Sequence, residues 1–245
     1  MSHATMTAAT AQRILTQLRH DPRTVALLMI VPTALMVLLR YVLDSAAQFS
    51  AVAPALLGVF PFTIMFLLTS VSTLRERTSG TLERLMALPL GKLDLLAGYA
   101  IAFGLLAVAQ VVVATGVSLL WLGLTVKGAL WTLLLITVLD ALLGTALGLL
   151  VSAFARTEFQ AVQFMPVVVL PQILLCGLFV PRGSMGWVLN VLSDLMPLSY
   201  AVDALTHVTR SAEIDGTLVR NMLIVAGCAA LALIVGAATL RRRTP

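Results

Sequence analysis

The sequence predicts an all-α polytopic membrane protein: six transmembrane helices, an N-terminal interfacial helix, and short outer re-entrant helices between spans five and six. Two observations carry this prediction. Hydrophobic residues make up 60% of the 245 residues and charged residues only 11%, whereas soluble domains carry about 25% charged residues. The apolar residues also gather in runs of about 20, the length at which a helix crosses a bilayer. Such an apolar excess is typical of a chain whose solvent is lipid.

Residues 1–23 form the first predicted domain, an amphipathic surface helix. They lack the early apolar core of a secretory signal. Apolar side chains recur there at helical spacing, at Ala11, Ile14, Leu15 and Leu18. The opposite face is mostly polar, and Asp21-Pro22 then breaks the helix. This pattern is typical of a helix that lies on the membrane surface.

The second predicted domain, residues 24–245, contains the six spans. We place them at about 24–43, 51–74, 95–124, 129–154, 161–180 and 218–240. The third and fourth exceed the length that a bilayer requires, so they tilt or protrude. Cys176 and Cys228 both lie inside apolar runs, which favours two small buried side chains over a disulfide or a metal site.

The basic residues predict the orientation of the spans. Of the 16 lysines and arginines, 11 fall in the termini and the loops on one side of this arrangement and five on the other. Since basic residues are enriched in cytoplasmic loops, both termini are predicted to be cytoplasmic. In a membrane protein the net charge of +5 is no argument for nucleic acid as a partner.

The most highly charged segment, residues 75–94, is predicted to be a cytoplasmic loop. Seven of its twenty residues are charged, and it is much longer than a simple reversal of direction requires. Thr78-Ser79-Gly80 breaks the chain, Thr81 is a candidate cap for a short amphipathic helix, and Pro89 ends that helix. Periodicity alone leaves two functions open, an interfacial anchor or a docking element for a soluble partner.

Several polar residues inside the spans are candidates for a transport path or for helix packing. Asp140, Gly144 and Gly148 recur every four residues, so they share one face of span four, and the two glycines allow another helix to approach closely. An ionised carboxylate at that depth costs about 2.5–3.5 kcal/mol. Asp140 is therefore either a substrate or ion-coupling residue or a hydrogen-bonded packing residue, and the packing role is the simpler one. Further candidates are Gln110, Gln163 and Gln172.

The segment between spans five and six is apolar but interrupted by Asp194, Pro197 and Asp203. Neither half is long enough to cross a bilayer, so two short amphipathic or re-entrant helices are predicted at the outer face. Trp187 and Tyr200 are residue types that favour the membrane interface.

The motifs of common enzyme classes do not occur. Gly91-Lys92 is followed by Leu93 and has no upstream glycine at the spacing of a phosphate-binding loop. The three histidines are scattered, with no H-E-x-x-H, and no serine nucleophile elbow occurs. We therefore expect no catalysis by this chain, no catalytic residues and no metal. Energy for uphill transport would come from a partner or from an ion gradient.

Two motifs in this arrangement resemble those of permease subunits of ATP-binding-cassette exporters, in particular the antibiotic- and daunorubicin-resistance type. They are the cytoplasmic "ERTSGTLERLMALPL" and the outer "LLCGLFVPRGSMGWVLNVLSDLMPLSYAVDAL". On this resemblance the 75–94 loop contains the helix that couples to an ATPase, with Glu76, Gly80, Thr81, Glu83 and Arg84 in its motif. The outer motif contains Pro181, Trp187, Pro197 and Tyr200.

The resemblance also implies partners and a location. It implies two copies of a separate ATPase subunit that carries ATP and Mg²⁺, and a second permease copy, as a homodimer or a paired permease. The location is a bacterial inner membrane, and the substrate class is an apolar or amphipathic drug or lipid. The alternatives are a self-sufficient ion-coupled transporter or channel that uses Asp140, or an anchoring protein. Dependence on a co-expressed ATPase discriminates among them.

Overall fold

The computed structural model describes residues 3–43, 45–79 and 92–239, and these ranges are almost entirely helical. They contain nine α-helices and one 3-10 turn, Arg182–Ser184. The helices are α1 His3–Arg19, α2 Pro22–Leu43, α3 Ala46–Thr78, α4 Lys92–Leu120, α5 Leu130–Ser152, α6 Glu158–Leu175, α7 Trp187–Asp194, α8 Pro197–Arg210 and α9 Gly216–Thr239. The predicted all-α fold is confirmed.

Six helices are long and apolar enough to cross a membrane: α2, α3, α4, α5, α6 and α9. The number of predicted spans is therefore confirmed, but several helix ends differ from the predicted span ends: α3, for example, is Ala46–Thr78 instead of 51–74. Two of the differences have a clear cause. The third span ends at Leu120 instead of 124, because Gly123 turns the chain with a φ of 77° and the Leu124 N–H donates to the Ser118 carbonyl. The fifth ends at Leu175 instead of 180, just before Gly177 with a φ of 94°. Such φ values favour glycine and end a helix.

Helices α3 and α5 form the centre of the bundle. In each, 61% of the most apolar 18-residue window is buried, against 17% in α2 and α6. Gly144 and Gly148 make this pairing possible, since a Cβ on Gly144 would lie 2.3 Å from the Phe62 carbonyl oxygen and one on Gly148 2.5 Å from that of Phe66. The two helices thus touch backbone to backbone, which only small residues allow.

Helix α1 packs lengthwise on the first turns of α4. Ala11 and Ile14 are buried against Leu95 and Tyr99, so the apolar face that the sequence predicted is covered by α4. Gly98 brings the two backbones together, because a Cβ there would lie 2.6 Å from the Cβ of Thr10. The position of α1 relative to the membrane stays a prediction. We call this end of the bundle the α1 end.

Helices α7 and α8 meet at an angle of 92° at the opposite end of the bundle. The break falls at Leu195 and Met196, and Pro197 begins α8 with a ring that supplies a helical φ and needs no N–H partner. Together they are apolar enough to count as one broken span. The two short helices predicted between spans five and six are therefore present.

Candidate functional sites

A charged cluster joins α1, α3 and α4 at the α1 end. The Arg13 guanidinium donates to both carboxylate oxygens of Glu76, at 3.2 and 2.8 Å. The Tyr99 hydroxyl donates to the same carboxylate, and Arg13 reaches the Tyr99 oxygen at 3.4 Å. The Arg13 and Glu76 side chains are 26% and 14% exposed. A partly buried, bidentate pair of this kind fixes both distance and angle between its helices.

The two arginines that flank Glu76 hold two other helices. Arg75 forms a bidentate pair with Glu158, at 2.9 and 3.0 Å, at the start of α6. Arg77 donates to the Ser152 carbonyl at the end of α5. The Arg75 pair is exposed and contributes about 0–1 kcal/mol. Three consecutive residues at the end of α3 thus contact four other helices, and they are the first residues of the segment, 75–94, that was predicted to be the coupling loop.

Of the residues predicted for that loop, the structure places Glu76. Gly80, Thr81, Glu83 and Arg84 lie outside the described residues. The sequence reasoning missed Arg13, Tyr99 and Glu158. The only signal for Arg13 was its position on the polar face of an amphipathic helix that precedes the spans.

Asp140 is fully buried in α5, and neither carboxylate oxygen has a hydrogen-bond partner among the described residues. It faces α3 and α8: a Cβ built on Gly58 would lie 3.4 Å both from Asp140 Oδ2 and from a Val202 methyl. An unpaired buried polar group costs about 1–3 kcal/mol, more if charged.

The three candidate glutamines occupy different environments. Gln110 is fully buried with neither amide atom paired among the described residues, and it makes no hydrogen bond to Asp140. Gln172 is also buried, where its amide donates to the Val168 carbonyl at 3.1 Å and accepts from the Leu198 N–H at 3.3 Å. Gln172 thereby caps the start of α8. Gln163 is exposed.

At the opposite end, Arg182 organises the segment between spans five and six. Its guanidinium donates to the carboxylates of Asp194 and Asp203 and lies 5.2 Å from the centre of the Tyr200 ring. The Tyr200 hydroxyl donates to the Asp194 carbonyl at 2.8 Å. Arg182 therefore fixes the angle between α7 and α8. Pro181 and Trp187 are exposed beside it. The sequence reasoning selected Tyr200 but missed Arg182.

Comparison with known proteins gives the family. The ABC-2 type transporter family model matches residues 5–209. A probable multidrug ABC transporter permease of Escherichia coli, YbhS, is 28% identical over 74% of this chain and 48% of its own length. ABC transporter G family member 20 of Dictyostelium discoideum is 26% identical over 64% of this chain and 21% of its own. The chain thus spans about half the length of YbhS. Because the family model extends from α1 to the end of α8, this chain belongs to the ABC-2 type transporter family.

Proposed function

We propose that the chain is the membrane-spanning permease subunit of an ATP-driven exporter. It forms the path for an apolar or amphipathic drug or lipid, and a separate ATPase binds ATP and Mg²⁺. Two ATPase copies and a second permease complete the complex in a bacterial inner membrane, with both termini cytoplasmic. The family and the multidrug permease named among its relatives support this proposal.

The observation that carries the coupling role is the run Arg75-Glu76-Arg77. It begins the predicted coupling segment, residues 75–94. Arg75 contacts α6, Glu76 contacts α1 and α4, and Arg77 contacts α5. A displacement of the loop by an ATPase would pull on the end of α3, and these contacts would transmit it to the other helices. Polar contacts with two alternative arrangements are the physical means by which such coupling acts.

Glu76→Gln tests this role, with Glu213→Gln as its matched control, because Glu213 is exposed in the turn between α8 and α9 at the other end of the bundle. Both changes remove one carboxylate charge, but only the first breaks the cluster that holds α1. In proteoliposomes with the ATPase, we expect Glu76→Gln to reduce ATP-driven efflux at least fivefold, while basal ATP hydrolysis persists. A factor of about five corresponds to the smallest coupling free energies that are typical between two sites. Glu213→Gln should stay within twofold. Full transport by the permease without any ATPase would refute the proposal.

A second candidate is an ion-coupled transporter in which Asp140 binds the ion. The observation that favours it is a buried carboxylate whose two oxygens have no partner among the described residues. Ionisable residues within membrane spans often serve ion pathways. The energy source separates the two candidates: collapse of the proton gradient with ATP maintained stops the ion-coupled protein and leaves the ATP-driven exporter active.

A further inference from the structure

A cavity of about 360 Å³ lies between the end of α8 and the start of α9. Its lining includes Asp203, Thr206, His207 and Arg210 from α8 and Arg220 and Asn221 from α9. The volume falls within the roughly 300–1,000 Å³ typical of ligand pockets. The family match ends at residue 209, so neither arginine lies in the matched region. The exporter function assigns nothing to this cavity.

The cavity carries excess positive charge. Arg182 donates to both Asp194 and Asp203, so Asp203 shares that cation and also interacts electrostatically with Arg220. Asp215 pairs with His207 at 3.3 Å while accepting from the Leu218 N–H at 2.8 Å. Among the described residues Arg210 and Arg220 form no ion pair, although Arg220 reaches the amide oxygen of its neighbour Asn221 at 3.4 Å.

One further carboxylate lies nearby, on Glu213 in the turn between α8 and α9. It is exposed, lies outside the cavity lining, and pairs with neither arginine. Among the described residues, the Arg210 guanidinium and most of the five N–H donors of Arg220 are therefore left for a ligand, which competes with Asp203 for the charge of Arg220.

The tryptophans indicate where this cavity lies relative to the membrane. All three tryptophans of the chain, Trp121, Trp131 and Trp187, are at this end of the bundle, and they are 66%, 60% and 80% exposed. Exposed tryptophans concentrate at membrane–water interfaces. The Gly128 N–H donates to the Val208 carbonyl at 2.9 Å, so the start of α5 adjoins the end of α8. The cavity thus lies at the level of lipid headgroups.

The rest of α9 has the surface expected beside a lipid. Val219 and Leu223, which share one face of α9 beside Arg220, are 45% and 67% exposed. A ligand whose anionic group enters the cavity would lay an apolar tail along these side chains. Guanidinium forks match phosphate oxygens bidentately, and the N-terminal end of α9 adds positive potential to the same place.

We infer that this cavity binds a phosphate group, with Arg210 and Arg220 as its principal ligands. Two sources supply that chemistry, the headgroup of a phospholipid and free phosphate. The exposed apolar face of α9 favours the phospholipid. Bound there, the lipid bridges α8 and α9 and holds the last span against the bent helix pair.

The test uses the purified full chain, stripped of lipid in detergent. Three probes are titrated and followed by native mass spectrometry and by thermal unfolding: phosphatidylglycerol, a diacylglycerol of the same acyl chains, and inorganic phosphate. The variants are Arg210→Gln alone and Arg210→Gln with Arg220→Gln. Lys127→Gln is the matched control, because Lys127 is exposed at the same end and does not line the cavity.

Phosphatidylglycerol should bind the parent at least tenfold more tightly than diacylglycerol. The double variant should lose that preference, Arg210→Gln should lose part of it, and Lys127→Gln should stay within twofold of the parent. If inorganic phosphate stabilises the parent as much as phosphatidylglycerol does, and the double variant loses this effect, free phosphate is the source. The inference is overturned if the parent does not distinguish the two lipids and ignores phosphate, or if the double variant binds as the parent does.

Discussion

Gly144→Ala tests the close contact between α3 and α5. A Cβ at residue 144 would lie 2.3 Å from the Phe62 carbonyl oxygen and 3.0 Å from the carbonyl carbon and Cα of Phe62. Ordinary carbon–oxygen contacts are about 3.3–3.6 Å, so α3 must move away by about 1 Å. All three of these atoms belong to the backbone, so no side-chain rotation relieves the overlap.

The expected loss follows from two opposing effects. Overpacking of this kind costs about 1–3 kcal/mol, and the upper value applies here because a gap of about 1 Å weakens dispersion along the whole contact. Replacing glycine by alanine inside a helix stabilises the helix by about 1 kcal/mol. The net loss is about 2 kcal/mol, and a chain of this size then melts roughly 4–8 °C lower.

Thermal unfolding in detergent, reported by a thiol-reactive dye, measures the effect. Cys176 is buried and Cys228 half-buried, and both thiols are free, so unfolding exposes them to the dye. Gly116→Ala is the control: a Cβ there meets nothing within 4 Å, and the variant should melt at or slightly above the parent temperature. The reasoning is refuted if Gly144→Ala melts at or above the parent as well.

Four further predictions address orientation, coupling, the buried carboxyl and acid stability. In a cysteine-free background, an impermeant thiol reagent added to intact cells should label a cysteine at Ser184 and not one at Ser79; the reverse would invert the orientation. Glu83→Ala should leave folding and insertion intact but lower stimulation of the ATPase, and normal transport would make the loop an anchor. With ATP maintained and the proton gradient collapsed, Asp140→Asn should retain efflux. If this variant loses efflux and efflux by the parent depends on the gradient, ion coupling is favoured instead. The hydrogen bond from the Leu218 N–H lowers the pKa of Asp215. The ionised Asp215 carboxylate therefore stabilises the folded chain above about pH 4, and this stabilisation is lost on further acidification. An Asp215→Asn variant that keeps the parent's acid unfolding profile would contradict this prediction.

The sequence predicted the number of apolar helices correctly, because hydropathy and length alone identify them. Its errors fell at helix ends, where hydropathy gives no signal. Apolar side chains continue past Leu120 and Leu175, but the backbone turns at Gly123 and Gly177. Conversely, α3 continues through the charged residues up to Thr78, because their side chains find partners on neighbouring helices.

The charged cluster of Arg13, Glu76 and Tyr99 could not be predicted from the sequence, for a different reason. Arg13 and Glu76 are 63 residues apart, and no local period relates them. The spacing of Gly144 and Gly148 predicted a close helix contact but did not say that α3 makes it. The roles of Asp140 and of the loop residues stay predictions, because geometry alone does not distinguish a packing carboxyl from a working one.

The position of α1 has a consequence for biosynthesis. Its partners on α4 begin near Leu95, so α1 emerges from the ribosome about 80 residues before the surface on which it packs. At about 5–20 residues per second, that interval is roughly 4–16 s. During this time we expect the membrane surface to be the apolar phase available to Ala11 and Ile14. We therefore expect α1 to wait at the lipid surface, as its amphipathic pattern predicts, until the third span has been made. Arg13 can contact Glu76 and Tyr99 together only after that.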